Sequence, residues 1–399
     1  MKSIFDPYRH GQLFLKNRII KSATYEGLCD PNGFPSGSYL DYYDAVARNE
    51  VGGIITGFAY ISREGRAMQP FQAGIDHPDK IPFYQKLTGV VHRRGCPVFL
   101  QVAHAGRQTL RSATGMAARG VSAKKSVYFR EKTEPFSTGE VYNKISEFAE
   151  AAYLARESGF DGIQLHAAHG YLIHQFILPA INDRKDEFGI NGTMSIGTTF
   201  FEQVIDAVRD RCGSNFTILV KISSAVDLKP EFTLNQFEEL IRFLDRMEVA
   251  AIEISYGTMD HALNIFRGDV PESVILAHNP IMKSRNLLRK KINEAVMHYY
   301  FMKRLKPFTP AYNLEFASLA KKITRVPIIS VGGFRNGDQI RDAISSGRTD
   351  LVGLARPFIC EPDFVQKLKI NGSYESRCVN CNYCSIMCDS NNETRCYKN

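Results

Sequence analysis

Short apolar runs alternate with longer amphipathic segments over most of the chain. Continuous Ile, Val and Leu-rich runs are typical of strands buried on both faces of a parallel sheet. The runs are Ile19–Tyr25, Gly53–Ala59, Pro97–His104, Gly162–His166, Thr217–Ser223, Ala251–Ser255, Pro327–Gly332 and Leu351–Ala355. Segments with helical period lie between them, among them Glu147–Glu157, Thr199–Arg211, Leu234–Arg246 and Gly337–Ser346. Eight such units predict an α/β fold, a single (β/α)8 TIM barrel.

Two parts of the chain do not fit this repeat. Residues 258–313, called the insertion below, are too long for an ordinary loop and predict a lid or an interface after the sixth strand. Residues 371–399, called the tail below, hold five of the nine cysteines. The sequence therefore predicts a barrel domain over residues 1–370, which includes the insertion, followed by a Cys-rich tail.

Polar side chains end several of the predicted strands. Gln101 and His104 end the third run, His166 ends the fourth, and Lys221 lies in the fifth. The active site of a TIM barrel lies at the C-terminal ends of its strands, so we expect these side chains to converge on one mouth. His166, together with the nearby His169 and Tyr171, offers N–H and O–H donors to a substrate oxygen.

Glycines follow the seventh predicted strand, and a cation follows the eighth. Gly332 and Gly333 would let backbone N–H groups approach an anion closely, and Arg356 would add charge. The loops after the seventh and eighth strands are the usual phosphate site of this fold. The sequence therefore predicts a phosphate-bearing ligand at this end of the barrel.

Composition and charge narrow the classes of protein. Hydrophobic residues make up 44% of the chain and charged residues 23%, which is typical of a folded globular protein. With 50 Lys and Arg against 42 Asp and Glu, the net charge is +8, which suits an anionic ligand. We find no nucleic-acid-binding module, no apolar leader and no run of roughly 20 apolar residues. We therefore expect a cytoplasmic enzyme with a small-molecule substrate, without nucleic-acid or membrane partners, and compatible with a homo-oligomer.

Several segments together resemble the old yellow enzyme family of FMN-dependent oxidoreductases. The resemblance runs from about residue 5 to 370, and the His166-Ala-Ala-His-Gly-Tyr171 run is its most specific part. The other segments are Asn17–Thr24, Gln101–Arg107, Gly159–Leu165, Asn182–Arg184, Asp186–Gly189, Gly332–Gly333 and Ala355–Pro357. The resemblance implies a TIM barrel that binds FMN, is reduced by NADH or NADPH, and passes hydride to an activated alkene such as an α,β-unsaturated carbonyl compound.

The resemblance also implies roles for individual residues around the flavin. Gln101 would bind its pyrimidine ring, and Lys221 would lie beside the N1 and O2 edge and stabilise the reduced anion. The other residues implied to bind the cofactor are Ala23, Thr24, Gly57, Phe58, Gly332, Gly333, Ala355 and Arg356.

The catalytic set implied by the resemblance is His166, His169 and Tyr171. The two histidines match the pair that binds the substrate carbonyl oxygen, and Tyr171 matches the proton donor, whose ordinary pKa of about 10 keeps it protonated at neutral pH. Tyr25 departs from the family, because relatives carry Thr, Cys or His at the flavin edge, and this puts the redox potential in question.

The tail carries a second motif, the spacing Cys378-x2-Cys381-x2-Cys384-x3-Cys388 followed by Cys396. Its first four cysteines copy a ferredoxin run, although Asp389 replaces the proline that follows there. The motif also resembles the iron-sulfur ligands of 2,4-dienoyl-CoA reductase and trimethylamine dehydrogenase, with one interval shorter by one residue. Cys378, Cys381, Cys384 and Cys396 are then the candidate 4Fe–4S ligands. A structural zinc and a tail without metal remain open alternatives.

Three functions follow from these readings. The first is an NAD(P)H-dependent ene-reductase on one barrel. The second is an FMN and 4Fe–4S subunit that receives electrons from a partner protein. The third is a flavin-binding scaffold with a redox-sensing tail, which the His-His-Tyr set disfavours because a sensor needs no proton donor.

Overall fold

Eight parallel strands form a closed barrel in the computed structural model, which describes residues 3–191 and 194–398. The strands are β1 (Ile19–Lys21), β2 (Gly53–Ile55), β3 (Val98–Ala103), β4 (Gly162–Ala167), β5 (Thr217–Ser223), β6 (Ala251–Ser255), β7 (Ile328–Val331) and β8 (Leu351–Leu354). Each strand pairs with the next along the chain, and β8 pairs with β1 through Val352–Ile19 and its neighbours. The predicted TIM barrel is confirmed.

Eight helices alternate with the strands and surround the barrel. They are α1 (Gly37–Ala47), α2 (Ile81–His92), α3 (Thr138–Glu157), α4 (Thr199–Cys212), α5 (Leu234–Arg246), α6 (Leu314–Ile323), α7 (Gly337–Ser345) and α8 (Phe364–Ile370). α5 shows why they form: Thr233 caps it with a capping box to Gln236, and Phe237, Leu240 and Leu244 lie on one buried face. The four predicted helices are all present, α3 beginning nine residues earlier than expected.

Shorter elements decorate both ends of the barrel. Strands Tyr8–His10 and Leu13–Leu15 form an antiparallel hairpin, Ala59–Tyr60 pairs with β3, and Ala118–Gly120 pairs with Thr133–Pro135. Short helices span Arg111–Thr114, Leu172–Ile177, Arg356–Cys360 and Tyr383–Met387, and the insertion holds helices Glu272–His278, Leu287–Val296 and Met297–Phe301. Single 3₁₀ turns span Arg63–Gly65, Pro78–Lys80 and Met302–Arg304, and Met259–Asn264 holds two such turns joined by a kink at His261. None of the helices in the described ranges is long and apolar enough to cross a membrane.

The barrel interior has an apolar layer at one end and a polar layer at the other. The apolar layer is closed from below by Leu13 and Leu15 of the N-terminal hairpin. Its strand residues are Ile20, Ile55, Phe99, Leu219, Ala251, Ile329 and Leu351. Residues two positions further along a strand share the same face, so this layer places Gln101, Lys221 and Glu253 next along the interior. The polar layer is therefore at the C-terminal ends of the strands.

Gly353 makes room within the polar layer. A Cβ at this position would lie 2.4 Å from Ser22 Oγ and 3.0 Å from Glu253 Oε1, two groups that hydrogen-bond to each other. We expect Gly353→Ala to lower the free energy of unfolding by about 1–3 kcal/mol, because it overpacks a rigid interior. Urea unfolding measures this, with Gly139→Ala as the control, because a Cβ there meets nothing within 4 Å. Equal stabilities of the two variants would contradict the prediction.

The tail folds back across the mouth of the barrel. Buried Glu361 anchors its start by accepting hydrogen bonds from Tyr374 Oη (2.7 Å), Ser376 Oγ (2.6 Å) and the Arg377 N–H (2.7 Å). Asn382 Nδ2 then donates to the Asp269 carbonyl of the insertion at 3.0 Å. The tail thus joins the insertion above the C-terminal ends of the strands.

Candidate active site

A single large cavity opens at the C-terminal ends of the barrel strands and is called the main cavity below. It holds about 1370 Å³ of free space, its open mouth included. Twelve of the thirteen predicted catalytic and cofactor residues line it: Ala23, Thr24, Phe58, Gln101, His166, His169, Tyr171, Lys221, Gly332, Gly333, Ala355 and Arg356. Gly57 does not, because its N–H points to Glu26 Oε1 (2.6 Å) and Tyr43 Oη (2.9 Å) behind the wall.

A buried chain of polar groups forms the floor of the main cavity. Gln101 Nε2 donates to Gln164 Oε1 (2.6 Å), and Gln164 Nε2 donates to Glu253 Oε2 (2.8 Å). Lys221 Nζ lies 3.2 Å from the same carboxylate oxygen, and Ser22 Oγ donates to the other oxygen. Glu253 therefore holds the Lys221 ammonium directly and the Gln101 amide through Gln164, the two groups predicted to face the flavin.

His166 presents one ring nitrogen to the main cavity. Its Nδ1 accepts a hydrogen bond from the Ala168 N–H at 3.3 Å, which leaves Nε2 to carry the proton and donate. Burial, followed by the nearby His169 and Lys221, lowers the pKa of His166 well below its ordinary value. His166 is thus a neutral hydrogen-bond donor at neutral pH.

The position of the His169 ring is set by its backbone conformation and by one serine each from β5 and β6. It adopts a left-handed conformation (φ 59°), its N–H donates to Ser223 Oγ at 3.1 Å, and its Nε2 lies 2.8 Å from Ser255 Oγ. The two histidine rings pack edge to face with centroids 4.9 Å apart. Burial, followed by the Lys221 charge, lowers the pKa of His169 well below its ordinary value, so this ring is also neutral.

Tyr171 stands beside the histidines. Its ring centroid lies 4.8 Å from that of His166 and 5.5 Å from that of Phe58. Among the residues the structure describes, none hydrogen-bonds to its hydroxyl. Burial, followed by Asp389 and Cys388, raises the pKa of Tyr171, so the phenol stays protonated. The hydroxyl is therefore protonated and free of hydrogen bonds to the described side chains.

Tyr25 lies in the cavity wall as expected, and its hydroxyl accepts a hydrogen bond from the Phe71 N–H at 3.1 Å. Its ring packs against Phe58 with centroids 6.3 Å apart. Burial raises the pKa of Tyr25, which keeps a neutral phenol at this wall. Its effect on the flavin potential stays a prediction.

The loops after β7 and β8 form the opposite end of the main cavity. Gly332 and Gly333 have φ of 119° and 82°, and a Cβ on Gly332 would lie 2.5 Å from the Tyr312 ring. Arg356 reaches this corner, where Nη1 donates to the Arg267 carbonyl (3.0 Å) and to Asn382 Oδ1 (2.6 Å). Glycine backbone and a guanidinium suit a phosphate, and Gln101 with Lys221 suits a pyrimidine ring, so the residues present fit FMN.

The predicted metal ligands do not form a metal site. Cys378, Cys381, Cys384 and Cys396 do line one small cavity, together with Cys360. Within residues 3–191 and 194–398, however, no three Cys, His, Asp or Glu side chains are arranged to hold a metal ion. The described side chains therefore do not present the ligand set of a 4Fe–4S cluster, and the cluster stays a prediction.

The tail instead supplies part of the cavity wall. Asn380, Cys384, Ser385, Cys388, Asp389 and Thr394 all line the main cavity. Asp389 is the most connected of them: it accepts hydrogen bonds from Gln69 Nε2 (2.7 Å) and from Asn279 Nδ2 of the insertion (3.0 Å). Burial raises the pKa of Asp389 to about 7. One carboxylate thus joins three segments that are distant in the sequence.

Several residues in and around the main cavity were not predicted from the sequence. Gln164 and Glu253 could have been predicted, because each is a polar residue inside an otherwise apolar strand. Each also lies two positions from another residue on the same face of its strand. No such pattern marked Tyr128, Gln69 and Asp389, because these residues lie on loops whose position the strand pattern does not determine.

The chain matches the model of the NADH:flavin oxidoreductase / NADH oxidase family over residues 3–274 and 275–374. It is similar to 4,4'-dithiodibutanoate disulfide reductase of Rhodococcus erythropolis, with 28% identity over 96% of this chain and 92% of that protein. It is also similar to cinnamate reductase of Clostridium sporogenes, with 28% identity over 92% of this chain. The chain spans only 52% of that relative and 53% of the NADH oxidase of Thermoanaerobacter brockii.

Solved structures show the same fold. The old yellow enzyme homologue from Zymomonas mobilis superposes with a TM-score of 0.72 and 22% identity over 96% of both chains. A 2-naphthoyl-CoA reductase in complex with 2-naphthoyl-CoA gives a TM-score of 0.79 and 19% identity over 97% of this chain and 56% of that one.

Proposed function

Because the chain belongs to the NADH:flavin oxidoreductase / NADH oxidase family, and is therefore an FMN-dependent oxidoreductase that NAD(P)H reduces, we propose that it reduces an activated alkene. The substrate class is an α,β-unsaturated carbonyl compound. The observation that carries this proposal is the set of two neutral imidazoles and one protonated phenol that face the main cavity together.

The cavity residues divide the chemistry between them. FMN held by Gln101, Lys221 and Arg356 would supply the hydride that the β-carbon of the alkene accepts. His166 Nε2–H, with the His169 ring beside it, binds the carbonyl oxygen of the substrate and stabilises the negative charge that builds there. Tyr171 holds the proton that the α-carbon accepts, since its hydroxyl has no protein partner among the described residues.

The cofactor would be held at both ends of the main cavity. Gln101 and Lys221 would bind its pyrimidine ring, and Glu253 keeps these two side chains in place from below. The phosphate would lie at Gly332, Gly333 and Arg356. A cation beside the pyrimidine ring favours the reduced, anionic flavin.

The insertion and the tail act as a cover in this proposal. Their contacts at Asn382 with Asp269 and at Asp389 with Asn279 close the mouth on the side of Tyr171. A cover of this kind excludes water from the reacting carbon atoms and strengthens the hydrogen bonds to the carbonyl oxygen.

Anaerobic spectroscopy tests the proposal. Purified protein loaded with FMN should lose its yellow absorbance when NADH or NADPH is added, and 2-cyclohexenone should restore it with formation of cyclohexanone. If 4,4'-dithiodibutanoate reoxidises the protein whereas no enone does, the disulfide chemistry named for the Rhodococcus relative applies instead. Failure to take up FMN would contradict the proposal altogether.

The partner-fed alternative, an FMN and 4Fe–4S subunit, rests on the cysteine spacing and on longer relatives. The geometry of the described cysteines does not favour it. Iron analysis of anaerobically prepared protein decides between the two functions: full FMN with no iron supports the ene-reductase, and stoichiometric iron that is lost in Cys378→Ala supports the alternative.

A further inference from the structure

A second cavity, called the side chamber below, adjoins the main cavity. It holds about 550 Å³ of free space, the part open to solvent included. Both cavities share Tyr128, Ala262, Phe266, Ser385 and Asp389 in their linings, so these residues form the partition between them. The side chamber therefore lies directly behind this part of the wall of the main cavity.

The walls of the side chamber are apolar and come mainly from the insertion. Ile275, Met282 and Met297 of the insertion and Ile386 of the tail form one buried hydrophobic cluster, and all four line the chamber. Phe301 and Leu305 extend the same wall. Methionine side chains are flexible and adapt to ligands of different shape. This part of the chamber wall suits a hydrocarbon group.

The partition between the two cavities lies near the Tyr171 phenol. Asp389 and Cys388 are the charged or ionisable groups that act on the Tyr171 phenol, and Asp389 is also part of the chamber lining. Tyr128, on the loop after β3, lies in both cavities and packs edge to face against Phe301 with centroids 6.1 Å apart. Tyr128 therefore lies between the main cavity and the side chamber, on the path that a substrate arm would take.

We infer that the side chamber binds the apolar arm of an elongated substrate, an alkyl-chain or aryl-substituted α,β-unsaturated carbonyl compound whose carbonyl oxygen lies at His166 and His169. This inference rests on the proposed function and adds the substrate class. The polar atoms of the partition remain satisfied in this arrangement, because Asp389 keeps its bonds to Gln69 and Asn279. Beyond Tyr128 the arm would lie mainly against apolar side chains, with His261, Asn264, Asn279 and Arg304 completing the lining.

A pair of aldehydes of different length tests the inference with the FMN-loaded, full-length protein. The value of kcat/KM for trans-2-decenal should exceed that for trans-2-pentenal by at least about tenfold, since complete burial of one methylene corresponds to about fourfold. Filling the chamber with Met297→Trp should remove this preference. Leu288→Trp is the matched control, because Leu288 is 70% exposed on the neighbouring helix, and it should retain the preference.

The outcomes separate the two levels of the proposal. Turnover of both aldehydes with equal kcat/KM, or a preference that Met297→Trp leaves intact, would overturn the side-chamber inference alone. Bleaching by NADH without turnover of either aldehyde would overturn the proposed function and the inference with it. If Met297→Trp does not fold, Ile275→Trp blocks the same chamber from another helix and must likewise remove the preference for decenal.

Discussion

Replacing Tyr171 with Phe is expected to slow alkene reduction by about 10²–10⁴-fold, the range typical of a lost general acid. The substitution removes one oxygen atom and leaves the ring packing against Phe58 and His166 intact. Reduction of bound FMN by NADH should be nearly unchanged, because that step takes no proton from the phenol. Stopped-flow measurement of the reductive and oxidative half-reactions separates the two effects.

Two further measurements test whether loss of the Tyr171 hydroxyl is the cause of the slower alkene reduction. Tyr299→Phe is the control for loss of a phenol, because Tyr299 is 64% exposed in the insertion and should leave both half-reactions intact. In D₂O the wild-type product should carry deuterium at the α-carbon, since the phenol proton exchanges with solvent. A Tyr171→Phe protein that reoxidises at the wild-type rate would show that another group delivers the proton.

The fold was predictable because its signal is repeated along the whole chain. Each of the eight apolar runs coincides with a barrel strand to within a few residues at either end. One run, Gly53–Ala59, covers β2 and the start of the short strand Ala59–Tyr60. Strand ends also revealed Gln101, His166 and Lys221, because polar residues interrupt otherwise apolar runs. Consecutive β/α units place consecutive strands side by side. Closure of the barrel then brings the C-terminal ends of the strands to one mouth.

The contacts of the tail were not predictable in the same way. Asp389 meets Gln69, 320 positions earlier, and Asn279, 110 positions earlier. Neither contact follows from hydrophobic period or motif spacing. The cysteine spacing in turn predicted a metal site, but spacing does not fix where thiols point, and the four side chains line a cavity without forming a ligand set. The larger contribution of the tail in the structure is to the wall of the main cavity.

Glu253→Ala is expected to have the largest effect on stability, a loss of about 3–5 kcal/mol in the free energy of unfolding. Glu253 is fully buried, and its carboxylate is the partner of Lys221 Nζ (3.2 Å) and of Gln164 Nε2 (2.8 Å). Its removal leaves a buried ammonium without a counter-charge. Thermal and urea unfolding measure the loss, with Glu150→Ala as control, because the Glu150–Arg211 pair is about half exposed and worth at most about 1 kcal/mol.

The double variant Lys221→Met/Glu253→Leu separates the structural role of this pair from its role toward the cofactor. Replacing both charges with apolar side chains of similar volume is often neutral for stability, so much of the loss in Glu253→Ala should be regained. The double variant lacks Lys221, the cation predicted to stabilise the reduced flavin. The midpoint potential of bound FMN should therefore be more negative than in the wild-type protein. If the double variant regained stability and kept the wild-type potential, Lys221 would serve the barrel interior alone.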